Sequence, residues 1–279
     1  MPRSFNPFRD RRPGGPSHPR PRAAHGPTGR YDAAADGPLE FPSLALGTPF
    51  TFDSGMAARL VRRDVNPKEA FTVRDAAGVF FRAGLKELGA HGGTAVPYER
   101  LALSPEPVVE ITLACAVLAR QRMIFVAQKA TELGVARIVP LLTEHSVPKS
   151  GLEHEKAHAW PGQIVRAAKQ CRRSSLPELL APTTLDAFLA SAPAAEAELC
   201  LCLDNVGGRT PAPAADPRRI LLLVGPEGGF SDAERSKLEG RTLPWPLGGR
   251  VLRAETAVLV GLAAVHLSWG DFRAAAPRG

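Results

Sequence analysis

The sequence predicts an α/β domain with a mostly parallel sheet, preceded by a smaller β-rich domain. Two observations carry the α/β assignment: apolar runs of strand length alternate with helical patterns from Val108 onward, and the last two strand runs each end in a glycine-rich turn. A third observation sets the smaller domain apart. Between Thr48 and Leu103 short apolar runs flank a turn, Phe71–Asp75 and Val79–Ala83 around Ala76-Ala77-Gly78, which reads as a β-hairpin.

Taken in order, residues 1–47 are rich in Pro, Gly and Arg and show little periodicity, the composition of a disordered tail. Seven arginines against one aspartate in residues 1–30 account for +6 of the formal net charge of +7, so the remainder is nearly neutral. The tail offers either salt-sensitive attraction to nucleic acid or plain solubility. Residues 48–105 form the expected β-rich domain, opened by a short basic helix over Met56–Arg63. Residues 106–279 form the expected α/β domain. Its strands are Val108–Leu118, Val135–Leu142, Leu199–Leu203 and Ile220–Val224. Its helices are Gln121–Gly134, Glu153–Arg173, Thr184–Ala190, one opening at Ser231 and one running to about Trp269. The Glu153–Arg173 helix should kink or restart at Pro161-Gly162. Pro211–Pro217 reads as a loop.

No apolar run approaches the roughly 20 residues that span a bilayer, and no signal-type apolar segment opens the chain. The four cysteines, Cys115, Cys171, Cys200 and Cys202, form no CxxC pair and have no histidine at zinc-finger spacing. Reduced thiols and a cytoplasmic location are expected.

The stretch Arg219–Thr256 organises the rest. The run Ile220–Val224 stops at Gly225-Pro226-Glu227-Gly228-Gly229, and Ser231 with Glu234 has capping-box spacing. Leu243–Leu247 meets Gly248-Gly249, then Val251-Leu252-Arg253-Ala254-Glu255-Thr256 leads into the last helix. Glycines beyond strand ends let a ligand approach bare backbone. Neither turn is a Walker loop, since the Lys-Ser/Thr pair is missing, and neither is GxGxxG, which argues against a dinucleotide oxidoreductase.

These residues carry a resemblance. VGPEGGFSDAE followed by LGGRVLRAETA resembles the RsmE family of ribosomal RNA methyltransferases, of the SPOUT class. Gln128–Val135 and the stretch from Trp160 to Pro177, with Gln170-Cys171 inside it, agree in order. The resemblance implies a SPOUT domain with a trefoil knot, a PUA-like barrel before it, and a homodimer. It implies transfer of a methyl group from S-adenosyl-L-methionine to N3 of a uridine in small-subunit (16S) ribosomal RNA, with no membrane partner. No metal is called for, because a sulfonium is already an activated donor. Val224, Gly225, Pro226, Glu227, Gly228, Gly229, Leu247, Gly248, Val251 and Leu252 would cradle the cofactor. Arg253 would be the cation that stabilises the forming uracil anion or a phosphate contact, or else a salt-bridge partner of Glu255 or Glu227. Glu255 is either catalytic or a helix-start carboxylate. Arg59, Arg62, Arg63, Arg172 and Arg173 are the candidate RNA contacts, with solvated or helix-end arginines as the alternative. The chain departs from the family at Lys169, where an acid is usual, and at Arg172, where glycine is. Those departures leave open a second reading, a non-catalytic or retargeted RNA-binding SPOUT paralogue.

Overall fold

The computed structural model describes residues 31–204 and 216–273. The expected basic tail through residue 30 and most of the expected Pro211–Pro217 loop lie outside them. Two sheets are present. The first contains β1 (Glu40–Phe41), β2 (Phe50–Asp53), β3 (Ala70–Asp75), β4 (Phe80–Gly89) and β5 (Gly92–Arg100), with α1 (Ser54–Arg62) between β2 and β3. Its strand order is β1-β3-β4-β5-β2. The hairpin expected around Ala76–Gly78 is the β3–β4 pair, antiparallel with Val73 opposite Phe81. α1 starts where the Asp53 carboxylate accepts the Met56 N–H at 2.9 Å, an N-cap. Its apolar face, Met56, Ala57 and Leu60, joins Phe50, Phe52, Phe71, Val73 and Leu85 in one core.

The second sheet is parallel throughout. It is built from β6 (Glu110–Ala116), α2 (Arg120–Glu132), β7 (Arg137–Leu142), α3 (Trp160–Gln170), β8 (Glu178–Leu179), β9 (Thr183–Thr184), α4 (Leu185–Leu189), α5 (Ala192–Ala195), β10 (Leu199–Leu203), β11 (Arg219–Val224), α6 (Asp232–Leu238), β12 (Leu243–Pro244) and α7 (Ala254–Ser268). The strand order is β12-β10-β11-β6-β7-β8, with β9 also on β7. β11 is bonded on both sides, to β10 and β6, which is why its run is apolar without alternation. Ile220, Leu222 and Val224 face a core shared with α2, α3 and α7. Leu221 and Leu223 face a second core with Phe188, Phe230 and Leu238. Helices therefore cover both faces, the three-layer arrangement that a parallel sheet requires.

Two expectations are corrected. Residues 31–39 are not a tail: they clasp the edge of the second sheet. Ala33 exchanges both backbone hydrogen bonds with Leu179 at 2.9 Å, Asp36 pairs with Leu176, and Leu39 is buried. Edge pairing uses backbone groups alone, so it leaves no periodic side-chain signal. The helix expected from Glu153 instead begins at Trp160. Pro161 sits in its first turn, where its missing N–H costs nothing, and 3-10 turns at Lys149–Gly151 and Ala157–Ala159 precede it. Among the described residues no helix is long and apolar enough to cross a membrane.

Candidate active site

Three chain segments converge at the carboxyl end of β10 and β11. The first is the turn after β11. Gly229 takes φ +73°, a left-handed conformation that favours glycine, and its N–H closes the turn on Pro226 O at 2.9 Å. Phe230 is buried beneath it, so close that a Cβ at Gly225 would lie 3.2 Å from the ring. The capping box forms as expected: Ser231 N–H donates to Glu234 Oε2 at 2.9 Å and Glu234 N–H to Ser231 Oγ at 3.3 Å. The other oxygen of Glu234 accepts the Glu144 N–H at 2.9 Å, which ties the turn to the loop after β7. His145 completes that tie, with Nδ1 3.1 Å from Gly229 O.

The second segment follows β12. Trp245 donates its N–H to Cys202 O at 2.7 Å and buries its ring edge-on to Trp269, with centroids 6.1 Å apart. Beyond it Gly248 has φ +98°, and the chain returns through Val251 and Leu252 to Arg253, the N-cap residue of α7. The third segment is the end of β10, Leu203-Asp204. Arg235 Nε holds the Asp204 carboxylate at 2.9 Å.

The three enclose a cleft of about 630 Å³ including its open side. Val224, Gly225, Pro226, Glu227, Gly229, Leu247, Val251 and Leu252 all line it, so most of the residues expected to act together do meet. Gly228 and Gly248 do not line it. A Cβ on Gly228 would press 3.1 Å from His145, and Gly248 shapes its turn. Sequence reasoning missed Leu203, Asp204, Phe230, Trp245, Ala254 and Ala257 in the lining. The Leu199–Leu203 run marks a strand end, but only the pairing of β10 with β11 brings Leu203 and Asp204 to the cleft.

Neither Arg253 nor Glu255 lines the cleft; Arg253, between the lining residues Leu252 and Ala254, is exposed and makes no ion pair among the described residues. Arg122 of α2 takes both of its expected partners: its Nη1 bonds to Glu227 Oε1, and its Nε is 3.7 Å from Glu255 Oε1. Glu255 Oε2 is buried without a partner. Cys115 ends β6 beneath these acids. Burial, then the Glu227 and Glu255 charges, push its thiol up to about 12. Burial and Asp204 push Cys202 up to about 12 against the opposing charge of Arg235. Neither thiol supplies a thiolate at neutral pH.

The candidate RNA arginines divide sharply. Arg63 is buried: Nε reaches Asp36 Oδ2 at 3.2 Å, Nη1 donates to Ser174 O at 2.6 Å, and Nη2 donates to Asp36 O and Gly37 O. Burial lowers it to about 10. Arg173 is buried too, on Glu106 at 3.1 Å and on the Thr131 and Val135 carbonyls. Arg59 Nε is 2.7 Å from Asp36. These three brace the fold. Their guanidinium groups are already engaged, by carboxylates and by carbonyls that close chain ends. Arg62 and Arg172 stay exposed.

The model of the RNA methyltransferase domain family matches residues 104–266. The ribosomal RNA small subunit methyltransferase E of Synechocystis sp. is 34% identical over 203 residues, 71% of this chain and 66% of that protein's length. The protein of the same name from Buchnera aphidicola is 26% identical, over 73% of this chain and 84% of its own. Among solved structures, a methyltransferase from Legionella pneumophila in complex with the cofactor SAM is 31% identical with TM-score 0.59, covering 84% of this chain and 98% of that one. The ribosomal RNA small subunit methyltransferase E of Neisseria gonorrhoeae, bound to S-adenosyl methionine, is 27% identical with TM-score 0.59, over 84% and 99%.

Proposed function

Because this chain belongs to the RNA methyltransferase family, in its ribosomal RNA small subunit methyltransferase E branch, we propose that it transfers the methyl group of S-adenosyl-L-methionine to N3 of a uridine in 16S ribosomal RNA. The observation that carries this reading is the convergence of three strand-end segments on one cleft, with the exposed Arg253 in the chain between the lining residues Leu252 and Ala254.

The residues present fit this cofactor. Gly225 and Gly229 line the cleft without side chains. Leu247, Val251, Leu252 and Ala257 offer apolar contact, and Asp204 and Glu227 offer carboxylates to hydroxyls or to a cation. When bound, the cofactor supplies an activated methyl on a sulfonium. The chain's own part is positioning and charge. The turn after β11, pinned through Glu234 and His145, fixes one wall, so little order remains to be imposed on binding. Arg253 stabilises negative charge as it grows on the uracil ring once the N3 proton leaves. Arg122 neutralises Glu227 and Glu255, which keeps the acids beside that ring from opposing it. The target base must be unpaired or extruded, because pairing hides N3.

In the same reading residues 48–105 are a PUA-like RNA-binding domain, supported by the five-stranded sheet. The path from β11 through β12 to α7 forms a trefoil knot, supported by β12 pairing beyond β10 before α7 returns against β11 and α2. The protein acts as a cytoplasmic homodimer. The departures at Lys169 and Arg172 lie outside the cleft, where they pair with Glu69 at 2.7 Å and Glu99 at 3.8 Å, which favours the catalytic reading over the non-catalytic one.

Calorimetry with S-adenosyl-L-methionine, followed by nucleoside mass spectrometry of 16S RNA from a deletion strain, tests the proposal. Binding, together with loss of one methyluridine, is expected. Binding with every methyluridine unchanged would remove the substrate, and no binding would remove the activity.

A further inference from the structure

A second cavity, about 330 Å³ including its mouth, lies at the seam between the two sheets' domains. Four cations line it: Arg63 and Arg82 from the first domain, Lys169 and Arg173 from the second. Three are neutralised, Arg63 by Asp36, Lys169 by Glu69 and Arg173 by Glu106. Asp36 is also shared with Arg59 and Arg62.

Arg82 differs. It is only 8% exposed, and no carboxylate among the described residues lies within ion-pair distance. Its Nη1 donates to Thr72 Oγ1 at 2.9 Å and its Nη2 to Ala70 O at 3.2 Å. Its Nε is buried with no acceptor. Its cross-strand neighbour Glu99 is 3.8 Å from Arg172 instead. Thr72 has no charge to offer, and its own hydroxyl proton goes to Arg172 O at 2.7 Å. Lys169 spends two of its three donors, on Glu69 and on Asp64 O.

A buried guanidinium without a counterion is costly, and a water can satisfy Nε but not the charge. A compact anion with several acceptor oxygens satisfies both, and guanidinium and ammonium groups bind such an anion through charge-assisted hydrogen bonds. The cavity is small, about 330 Å³ even with the open solvent at its mouth counted, which suits one small ion and not a nucleotide. We propose that the seam cavity binds a single phosphate group, held by Arg82 and Lys169. Because these residues come from β4 and α3, an occupied site fastens one domain to the other.

Inorganic phosphate, titrated against chloride at constant ionic strength, is the probe. The full chain should show a saturable rise in unfolding midpoint, roughly 3–6 °C at tenfold excess over Kd. Lys169→Met, at a half-exposed position, should weaken the apparent affinity about tenfold. Arg82→Met should abolish the effect. Should Arg82→Met not fold, the wild-type titration and Lys169→Met decide the matter. A rise that never saturates and is equal in Lys169→Met overturns the site. RNA oligonucleotide binding, with and without saturating phosphate, identifies the source. Competition assigns the site to a backbone phosphate, and its absence beside a saturable shift assigns it to the free ion. No saturable shift and no competition overturn the proposal.

Discussion

The cleft at the sheet edge and the seam between the domains are built by opposite means. The cleft is made of backbone. Its walls are turns whose shape glycines permit at φ +73° and +98°, held from behind by one buried carboxylate, Glu234. The seam is made of long cationic side chains reaching across, with Asp36, Glu69 and Glu106 answering them. The side-chain bridges consume their own polar groups. An arginine count therefore says nothing about where a polyanion binds: Arg63 and Arg173 are the most engaged arginines at the seam, while Arg253 stands free between two residues that line the cleft.

If the two regions are independent, breaking the seam should cost stability and spare the cleft. Arg173→Met removes the counterion of the largely buried Glu106, which keeps only its bonds from Ser174 and Ser175, and should cost about 3–5 kcal/mol in urea denaturation. Calorimetry on the folded fraction should give an unchanged cofactor affinity. A parallel fall in affinity would show the two regions to be coupled. The converse variant, Arg253→Ala, should leave stability within about 0.5 kcal/mol and cofactor affinity intact. It should slow single-turnover methyl transfer by about 10²–10³-fold. An unchanged rate would dismiss Arg253 from the chemistry.

Backbone strain offers a matched pair. Gly229 has φ +73° in the cleft and Arg172 has φ +65° at the seam. Gly229→Ala should cost about 1–2 kcal/mol, with its Cβ 3.2 Å from the Arg235 guanidinium that holds Asp204. Arg172→Gly should raise stability, by about 0.5–1 kcal/mol, since the residue forfeits only an exposed ion pair at 3.8 Å. Thermal unfolding of both separates cleft from seam: only the first should also weaken cofactor binding.

This contrast also explains what was legible in the sequence. The β11 turn could be read because each of its signals is local. An apolar run ends, glycines follow, and Ser231 and Glu234 stand at fixed spacing. The hairpin at Ala76–Gly78 was readable for the same reason. Leu203 and Asp204 were not, because their role depends on β10 lying beside β11, and strand order leaves no mark in periodicity. Arg122 carries no local signal of its role. Its partners are Glu227 and Glu255, more than a hundred positions away. Buried and exposed arginines share one letter, so Arg59, Arg63 and Arg173 read as an RNA surface until their carboxylates were located. Ala33–Leu39 read as tail because pairing to an edge draws on backbone that every residue carries.

The smallest expected effect lies at the Lys169–Glu69 bridge, where the chain carries a base in place of the family's acid. Lys169 Nζ is 2.7 Å from Glu69 Oε2, and this hydrogen bond, with those from Asn66, holds the Glu69 carboxyl below its ordinary value of 4.5. A carboxyl lowered by folding adds stability above its unfolded value and loses it as pH falls through its folded one. Both partners are partly exposed, so solvent screening limits the contribution to about 0.5 kcal/mol. Wild type and Lys169→Met should therefore differ by that amount at pH 7 and converge below pH 4.5, as Glu69 takes up its proton in both. A gap that persists in acid would mean that Lys169 stabilises the seam through its bond to Asp64 O, and not through charge.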